Sequence, residues 1–282
     1  MIRLLAIDID GTLLDSRGKL PDVHREALAA AVNRGIGVAL VTGRSFHFTR
    51  GVVNRLDLPV TVIVNNGAVV KERDGTTVIR HALPCEVAHA VLLHTRAYED
   101  SVAIVFDRPD VDDERQIVYE RMDWTHPHRR GYYEKNKAFI ASTPSSLADA
   151  LADEDPIQVM FNGGVQPMRL LVRDLRAAPI ADRYSVAITE YELRDFSLVD
   201  VNAAGCSKGT TLARWATAQG YARDEVMAVG DNLNDLEMLD FAGTAVVMGN
   251  AADIVKRARP FYVTGTNDEG GLAEAIKRFA FG

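Results

Sequence analysis

The sequence predicts an α/β protein with a parallel sheet, into which a second, α+β domain is inserted. Short apolar runs alternate with helical segments near both ends of the chain, a pattern typical of parallel strands covered by helices. The middle of the chain mixes shorter strands with helices and contains several prolines. The length of 282 residues, at about 150 residues a domain, favours two domains.

The first core segment, residues 1–83, is predicted to hold three strands with two helices between them. Each strand is a short apolar run of the kind that a sheet buries on both faces. Gly35 ends the first helix, and Ser45 is a good capping residue for the start of the second. The strands are expected at residues 3–9, 37–41 and 60–64, and the helices at residues 21–34 and 45–56.

The middle segment, residues 84–193, is expected to form the inserted α+β domain. Its strands are less uniformly apolar than those of the core, which favours a sheet with antiparallel pairs. The strands are expected at residues 101–106, 137–141, 158–161 and 184–189, and the helices at residues 86–98, 145–151 and 166–177.

The second core segment, residues 194–282, returns to the alternating pattern of the first. The strands are expected at residues 197–201, 226–229, 244–248 and 261–264, and the helices at residues 208–219, 235–241, 253–258 and 271–279. One α/β domain is therefore predicted to be split in sequence by the inserted domain.

Composition excludes several classes of partner. A formal net charge of −7 argues against binding to nucleic acid, which requires a basic face. No stretch approaches the roughly 20 apolar residues that a membrane-spanning helix needs. Asp8 interrupts the apolar run at the amino terminus, unlike a signal peptide, and two cysteines do not suggest a disulfide framework. We therefore expect a cytoplasmic protein with no nucleic-acid or membrane partner, while its oligomeric state stays open.

Four polar clusters follow predicted strands or begin a predicted helix. The first, Asp8-Ile9-Asp10-Gly11-Thr12, would on its own also fit an exposed Asp-Gly turn. The other clusters lie at residues 42–44, 205–208 and 230–235. Ligands of open parallel sheets bind at the carboxyl ends of the strands, so these distant clusters are expected to converge on one site.

The expected site is rich in carboxylates and also contains groups that bind phosphate. Four acids brought together would repel one another, and a hard divalent cation relieves that repulsion. Oxygen ligands with retained waters suit Mg²⁺. The Thr42 hydroxyl and the Lys208 ammonium both suit a phosphoryl group, and Lys208 begins a predicted helix. The acids are Asp8, Asp10, Asp231 and Asp235.

Together these clusters resemble the motifs of haloacid dehalogenase-like (HAD) phosphatases, and specifically the Cof-type branch with a type-2B cap. The family's four motifs match residues 8–12, Thr42, Lys208 and residues 230–235. Three further segments resemble the Cof-type branch, namely Asn66-Gly67-Ala68, Asn250-Ala251-Ala252 and Asn267-Asp268-Glu269-Gly270. The resemblance implies a Rossmann-like HAD core with an inserted cap that closes over the site and selects the leaving group.

The resemblance also implies a role for each matching residue. Asp8 would be the nucleophile that forms an aspartyl-phosphate, and Asp10 would be the general acid and base. Mg²⁺ would be held by Asp8, the main-chain carbonyl of Asp10, Asp231 and Asp235, the last directly or through water. The implied phosphate-binding residues are Thr42, Gly43, Lys208 and Asn234, and the candidate substrate contacts are Gly11, Arg44 and Asn66. Arg44 fits equally well as a residue that anchors its own loop.

The resemblance leaves the substrate open. It implies a small phosphorylated metabolite, such as a sugar phosphate, a nucleotide or a phosphorylated cofactor. One alternative is a phosphomutase or phosphotransferase that uses the same intermediate. Another is a module that binds a phosphorylated metabolite without turnover.

Overall fold

The chain folds around two separate sheets, one of eight strands and one of six. The structure is a computed structural model that describes residues 1–108, 116–142, 146–151 and 154–282. Contacts divide the chain into one unit formed by Met1–Val78 and Ser207–Gly282 and a second unit formed by Ile79–Cys206. The predicted α/β class is confirmed.

The first segment begins with the alternating strands and helices that the sequence predicts. They are followed by two short strands that the sequence did not reveal, because each offers only three or four residues to a periodicity argument. The elements are β1 (Leu4–Ile7), α1 (Asp22–Asn33), β2 (Gly37–Val41), α2 (Phe46–Leu56), β3 (Thr61–Val64), β4 (Val69–Lys71) and β5 (Thr77–Arg80).

The middle segment contains the second sheet and its helices. The elements are α3 (Cys85–His94), β6 (Val102–Val105), β7 (Ile117–Tyr119), α4 (Pro127–Asn136), β8 (Ile140–Ser142), α5 (Leu147–Ala150), β9 (Gln158–Gly163), α6 (Val165–Ala177), β10 (Tyr184–Tyr191) and β11 (Phe196–Ala203). Ser145, the expected first residue of the α5 helix, lies outside the described residues.

The last segment returns to the first sheet. Its elements are α7 (Lys208–Ala218), β12 (Val226–Gly230), α8 (Leu236–Phe241), β13 (Thr244–Val247), α9 (Asp253–Lys256), β14 (Tyr262–Val263) and α10 (Gly271–Ala280). Within the described residues, no helix is both long and apolar enough to cross a bilayer.

The strand order of the first sheet determines where polar side chains can meet. The order is β14-β13-β12-β1-β2-β3-β4-β5, and the strands from β14 to β3 are parallel. All four residues of β1 are completely buried in the middle of this sheet. The loops that follow β1, β2 and β12 therefore lie side by side at one edge.

The second sheet has the order β10-β11-β9-β6-β7-β8 and is antiparallel except for the β7–β8 pair. One of its faces packs on α3 and α6. Its core includes Phe161 and Val199 from the sheet and Val91 and Leu171 from the helices.

The assignment of residues 197–201 to the parallel core was wrong. This segment does form a strand, but as part of β11 it pairs antiparallel with β10 and β9 in the second sheet. Eight consecutive pairs join β11 to β10, and they hold the segment in the middle unit. The units therefore divide at residues 78/79 and 206/207, whereas the sequence placed the domain boundaries at 83/84 and 193/194.

Candidate active site

The loop after β1 carries the first two acids. The Asp8 N–H donates to the carbonyl of Val229 on β12 at 3.0 Å, which extends the parallel pairing one residue beyond β1. The backbone then turns at Gly11, whose φ is +78°. A Cβ on Gly11 would lie 2.2 Å from Oδ2 of Asp231. Only glycine allows both this turn and this close approach of the two loops.

Lys208 joins two buried carboxylates. Its Nζ donates to Oδ1 of Asp8 at 2.6 Å and to Oδ1 of Asp235 at 2.7 Å. Lys208 is the first residue of α7, and Ser207 caps that helix by accepting the Thr210 N–H. The cap fixes the helix start, and with it the position of the ammonium between the two acids.

Asp235 organises the loop after β12. Its Oδ2 accepts the N–H groups of Asp231 and Asn232 at 3.0 and 2.9 Å, while its Oδ1 accepts from Lys208. A Cβ on Gly230 would lie 2.6 Å from the Asp235 side chain, so glycine is required for the loop to fold this tightly. Both carboxylate oxygens of Asp235 are therefore used to hold protein groups.

The charges in this cluster do not balance. Burial raises the pKa of Asp8 to about 7; the Lys208 ammonium opposes this rise, and Asp235 adds to it. Burial and the carboxylates of Asp8 and Asp235 also raise the pKa of Asp231 well above its usual value. Burial lowers the pKa of Lys208, but the two acids that it contacts more than reverse this effect. Lys208 therefore keeps its proton, and the three acids of the cluster outnumber this single cation.

This excess fits a divalent cation. Asp8, Asp231 and Asp235 each offer an oxygen within 4.8 Å of the others. Carboxylate oxygens are the ligands that Mg²⁺ prefers, and a buried cluster with surplus negative charge is the environment that such an ion stabilises. Because both oxygens of Asp235 already hold protein groups, Asp8 and Asp231 are better placed as direct ligands.

The loop after β2 brings Thr42 and Arg44 to the same edge. Thr42 is buried, and its Oγ1 accepts the Arg44 N–H at 3.1 Å. The Arg44 guanidinium donates two hydrogen bonds to Asp10, from Nε to Oδ2 at 2.7 Å and from Nη2 to Oδ1 at 2.6 Å. Arg44, which the sequence left open as either a substrate contact or a loop anchor, thus pairs with the second acid of the first motif.

A strained turn after β3 connects the other loops. Asn66 and Gly67 have φ values of +53° and +98°. The Asn66 Oδ1 accepts from Asn234 Nδ2 at 2.9 Å, and a Cβ on Gly43 would lie 3.2 Å from the Asn66 amide. A Cβ on Gly67 would meet the Ser207 carbonyl at 2.3 Å. Asn66 therefore lies between the loops that follow β2 and β12.

Sequence reasoning gave no individual role to Asn250, which also reaches this site. Its Nδ2 donates to the Gly11 carbonyl at 2.8 Å and lies 3.5 Å from Oδ2 of Asp231. Its Oδ1 accepts the Asn267 N–H at 3.0 Å. The only sequence signal was the resemblance of the Asn250 and Asn267 segments to the Cof-type pattern, which identifies a segment but no contact.

All the candidate residues of the core thus meet at one edge of the first sheet, in three connected groups. One contains Asp8, Lys208, Asp231 and Asp235; another contains Asp10, Arg44 and Thr42; the third contains Asn66, Asn234 and Gly43. Gly11 lies against the first group.

Comparison with known proteins identifies the family. The profile described as haloacid dehalogenase-like hydrolase matches residues 5–276. A 5-amino-6-(5-phospho-D-ribitylamino)uracil phosphatase of Bacillus subtilis is 29% identical, with 99% of this chain and 96% of the relative covered. The pyridoxal phosphate phosphatase of Escherichia coli is 31% identical, with 97% of each chain covered.

A solved structure from Bacteroides thetaiotaomicron, described among the phosphatases of the haloalkanoate (HAD) enzyme superfamily, has 27% sequence identity and a TM-score of 0.78. The match covers 99% of this chain and 96% of that chain. The resemblance found in the motifs is therefore confirmed over nearly the whole length. The chain belongs to the haloacid dehalogenase-like hydrolase family and is one of its phosphatases.

Proposed function

We propose that the protein is a Mg²⁺-dependent phosphatase that hydrolyses a small phosphate monoester through an aspartyl-phosphate on Asp8. The observation that carries this proposal is the group of Asp8, Asp231 and Asp235, in which Asp8 and Asp235 are buried and pair with the Lys208 ammonium. Such a group offers a nucleophilic carboxylate, a cation for the phosphoryl oxygens and surplus negative charge for a metal ion.

The side chains of Asp8 and Asp231, with the main-chain carbonyl of Asp10, would hold Mg²⁺. Asp235 would act on the ion through the loop that it holds, or through a water molecule. When bound, the ion supplies positive charge between the anionic nucleophile and the phosphoryl group. Asn250, between the Gly11 carbonyl and Asp231, would orient one of the ligands.

In the first step a carboxylate oxygen of Asp8 attacks phosphorus, and the bond from phosphorus to the ester oxygen breaks. Asp10 gives its proton to that oxygen, so the product leaves as an alcohol. In the second step Asp10 takes a proton from water as the water oxygen attacks phosphorus. Inorganic phosphate leaves, and the Asp8 carboxylate is restored.

The phosphoryl oxygens would be bound by groups whose hydrogen-bonding capacity is not exhausted. An ammonium has three N–H bonds, and Lys208 uses two of them on Asp8 and Asp235. Thr42 accepts a bond from the Arg44 N–H, which leaves its own hydroxyl hydrogen to donate. Gly43 and Asn234 lie on the adjoining loops and would complete the contacts, as charge moves onto the phosphoryl group.

The test of this proposal is the variant Asp8→Asn. We expect phosphate release from a panel of phosphate esters to fall by about 10³-fold or more, since the nucleophile is lost. Asp22→Asn, an exposed acid at the start of α1, is the matched control and should keep wild-type activity. Acid-quenched wild-type protein should carry one phosphoryl group on the peptide that contains Asp8. Near-normal turnover of Asp8→Asn would exclude the mechanism.

Metal dependence has its own test. EDTA should abolish phosphate release, and Mg²⁺ should restore it. Titration calorimetry should show Mg²⁺ binding to the wild-type protein and weaker binding to Asp231→Asn. Full activity in EDTA would contradict the proposed cofactor.

The relatives support a narrower proposal for the substrate class. The named activities of two relatives concern a phosphorylated ribitylaminouracil and pyridoxal phosphate, which favours a phosphorylated cofactor or cofactor precursor over other small phosphate esters. Sugar phosphates and nucleotides belong in the same test panel.

Release of free phosphate without an added acceptor alcohol would distinguish a phosphatase from a phosphomutase or phosphotransferase. Cys85 and Cys206 form no disulfide, which supports a reducing, cytoplasmic location.

A further inference from the structure

We propose that Arg44 is a positioning residue that holds the Asp10 carboxyl in the orientation needed for proton transfer to the leaving group. This inference rests on the proposed function, because it assigns Arg44 a role through the general acid. The geometry points to it through the two hydrogen bonds from Nε and Nη2 of Arg44, one to each oxygen of Asp10.

The guanidinium is itself held by the surrounding loop. Its Nη1 donates to the Phe48 carbonyl at 3.4 Å. The Arg44 backbone is fixed at both ends, because its N–H donates to Thr42 Oγ1 and its carbonyl accepts the Asn65 N–H at 2.9 Å. Arg44 therefore fixes the Asp10 carboxyl, on the loop after β1, relative to the loop after β2.

Asp10 needs such a support more than Asp8 does. The Asp10 side chain is 36% exposed, whereas that of Asp8 is 7% exposed and fixed by Lys208. A half-exposed carboxyl next to the glycine turn can populate several rotamers, and only some bring its oxygen within hydrogen-bond reach of a leaving oxygen. The planar fork of Arg44 selects one orientation, which a single ammonium cannot do as well.

The alternative role for Arg44 is a direct contact with a substrate anion. All three guanidinium nitrogens already have partners on this chain, two on Asp10 and one on Phe48. A guanidinium has five N–H bonds, but a substrate phosphate could take the planar Nε–Nη2 edge only by displacing Asp10. The structure thus favours a role through Asp10 over a role on the substrate.

The experiment compares two substrates that differ in their need for a proton. An alkyl phosphate expels an alkoxide unless the leaving oxygen is protonated, whereas 4-nitrophenyl phosphate expels a stable phenolate. The quantity measured is kcat/KM, because it reports the steps up to loss of the leaving group. General acid catalysis contributes about 10²–10⁴-fold, so we expect Arg44→Gln to lower kcat/KM for the alkyl phosphate by about 10–100-fold. For 4-nitrophenyl phosphate the loss should be several-fold smaller.

Three further variants make the assignment specific. Arg44→Lys keeps the charge but not the fork, so it should remain well below wild type on the alkyl phosphate. In the background of Asp10→Asn, Arg44→Gln should cause little further loss, because a positioning residue has no effect once its target is removed. Arg55→Gln, at an exposed position on helix α2, which begins two residues after Arg44, should match wild type with both substrates.

Three outcomes would overturn the positioning role. The first is an equal loss of kcat/KM with the two substrates, and the second is full activity of Arg44→Lys. The third is a loss from Arg44→Gln that is as large in the Asp10→Asn background as in wild type. These outcomes are distinct from failure of the proposed function. In that case the wild-type protein itself would release no phosphate from either ester.

Discussion

Replacing Lys208 by methionine removes the charge that separates two buried acids. The exposed fractions of the three side chains are 1% for Lys208, 7% for Asp8 and 0% for Asp235. Methionine keeps much of the volume but leaves the carboxylates without their shared cation. Removing one partner of a buried ion pair costs about 3–5 kcal/mol. At about 2–4 °C per kcal/mol, we expect the metal-free protein to melt about 6–20 °C lower.

Scanning calorimetry in EDTA measures this change directly. The double variant Lys208→Met with Asp235→Asn is the matched comparison, because asparagine lowers the negative charge and keeps an oxygen for the loop N–H groups. It should melt several degrees above the single variant. Mg²⁺ should raise the melting temperature of Lys208→Met more than that of wild type, since a more negative site binds the ion more tightly. A single variant that melts within about 2 °C of wild type in EDTA would refute this account of the cluster.

Three other predictions follow from the same site. Gly11→Ala should weaken Mg²⁺ binding more than the control Gly18→Ala, as measured by calorimetric titration. Both glycines have φ above +70°, but only a Cβ on Gly11 would meet a carboxylate, at 2.2 Å. The raised pKa of Asp8, about 7, means that the folded metal-free protein binds a proton more tightly than the unfolded chain. Its contribution to stability is present below about pH 4 and is lost as the pH rises through 7. The melting temperature of Asp8→Asn relative to wild type in EDTA should therefore increase from pH 5 to pH 8, and a constant difference would contradict the shift. Asn66→Gly should lose about 0.5–1.5 kcal/mol of unfolding free energy through loss of the hydrogen bond to Asn234. Asn66→Ala should lose about 1–2 kcal/mol more, because φ at this position is +53°. Equal urea midpoints for the two variants would exclude that strain.

The sequence predicted best those features that depend on residues close together in the chain. Buried parallel strands need continuous apolar runs, so β1, β2 and β12 could be located within a residue or two. The rule that ligands bind at the carboxyl ends of such strands then predicts that Asp8, Thr42 and Asp231 meet at one site. Both steps depend on residues close in sequence or on a general property of parallel sheets.

The misassigned strand shows where such reasoning fails. A run of five residues with Val199 and Val201 buried on one side fits either sheet equally well. Which sheet it joins depends on hydrogen bonds with β10 and β9, whose partner residues lie up to about forty positions earlier in the chain. The β4 and β5 strands were missed because three or four residues are too few to show the alternating hydrophobic pattern of a strand.

Within the site, residue types could be predicted but their partners could not. Asp235 was an expected metal ligand because it is an acid in the right motif. Its two oxygens instead hold Lys208 and two backbone N–H groups, an arrangement that depends on the tight turn at Gly230. Arg44 was one of several charged residues near a strand end, and its pairing with Asp10 depends on how two loops from different strands face each other.

The two acids of the first motif have different surroundings although only Ile9 separates them. Ile9 is completely buried, and the backbone is extended at both Asp8 and Asp10. Asp8 is buried at the end of β1 against an ammonium, and Asp10 is partly exposed against a guanidinium. In the proposed mechanism a nucleophile must be held in one position, whereas a proton carrier must reach both the leaving oxygen and a water molecule within one turnover. One apolar residue between two acids, with a cation of suitable geometry for each, provides both environments on a single loop.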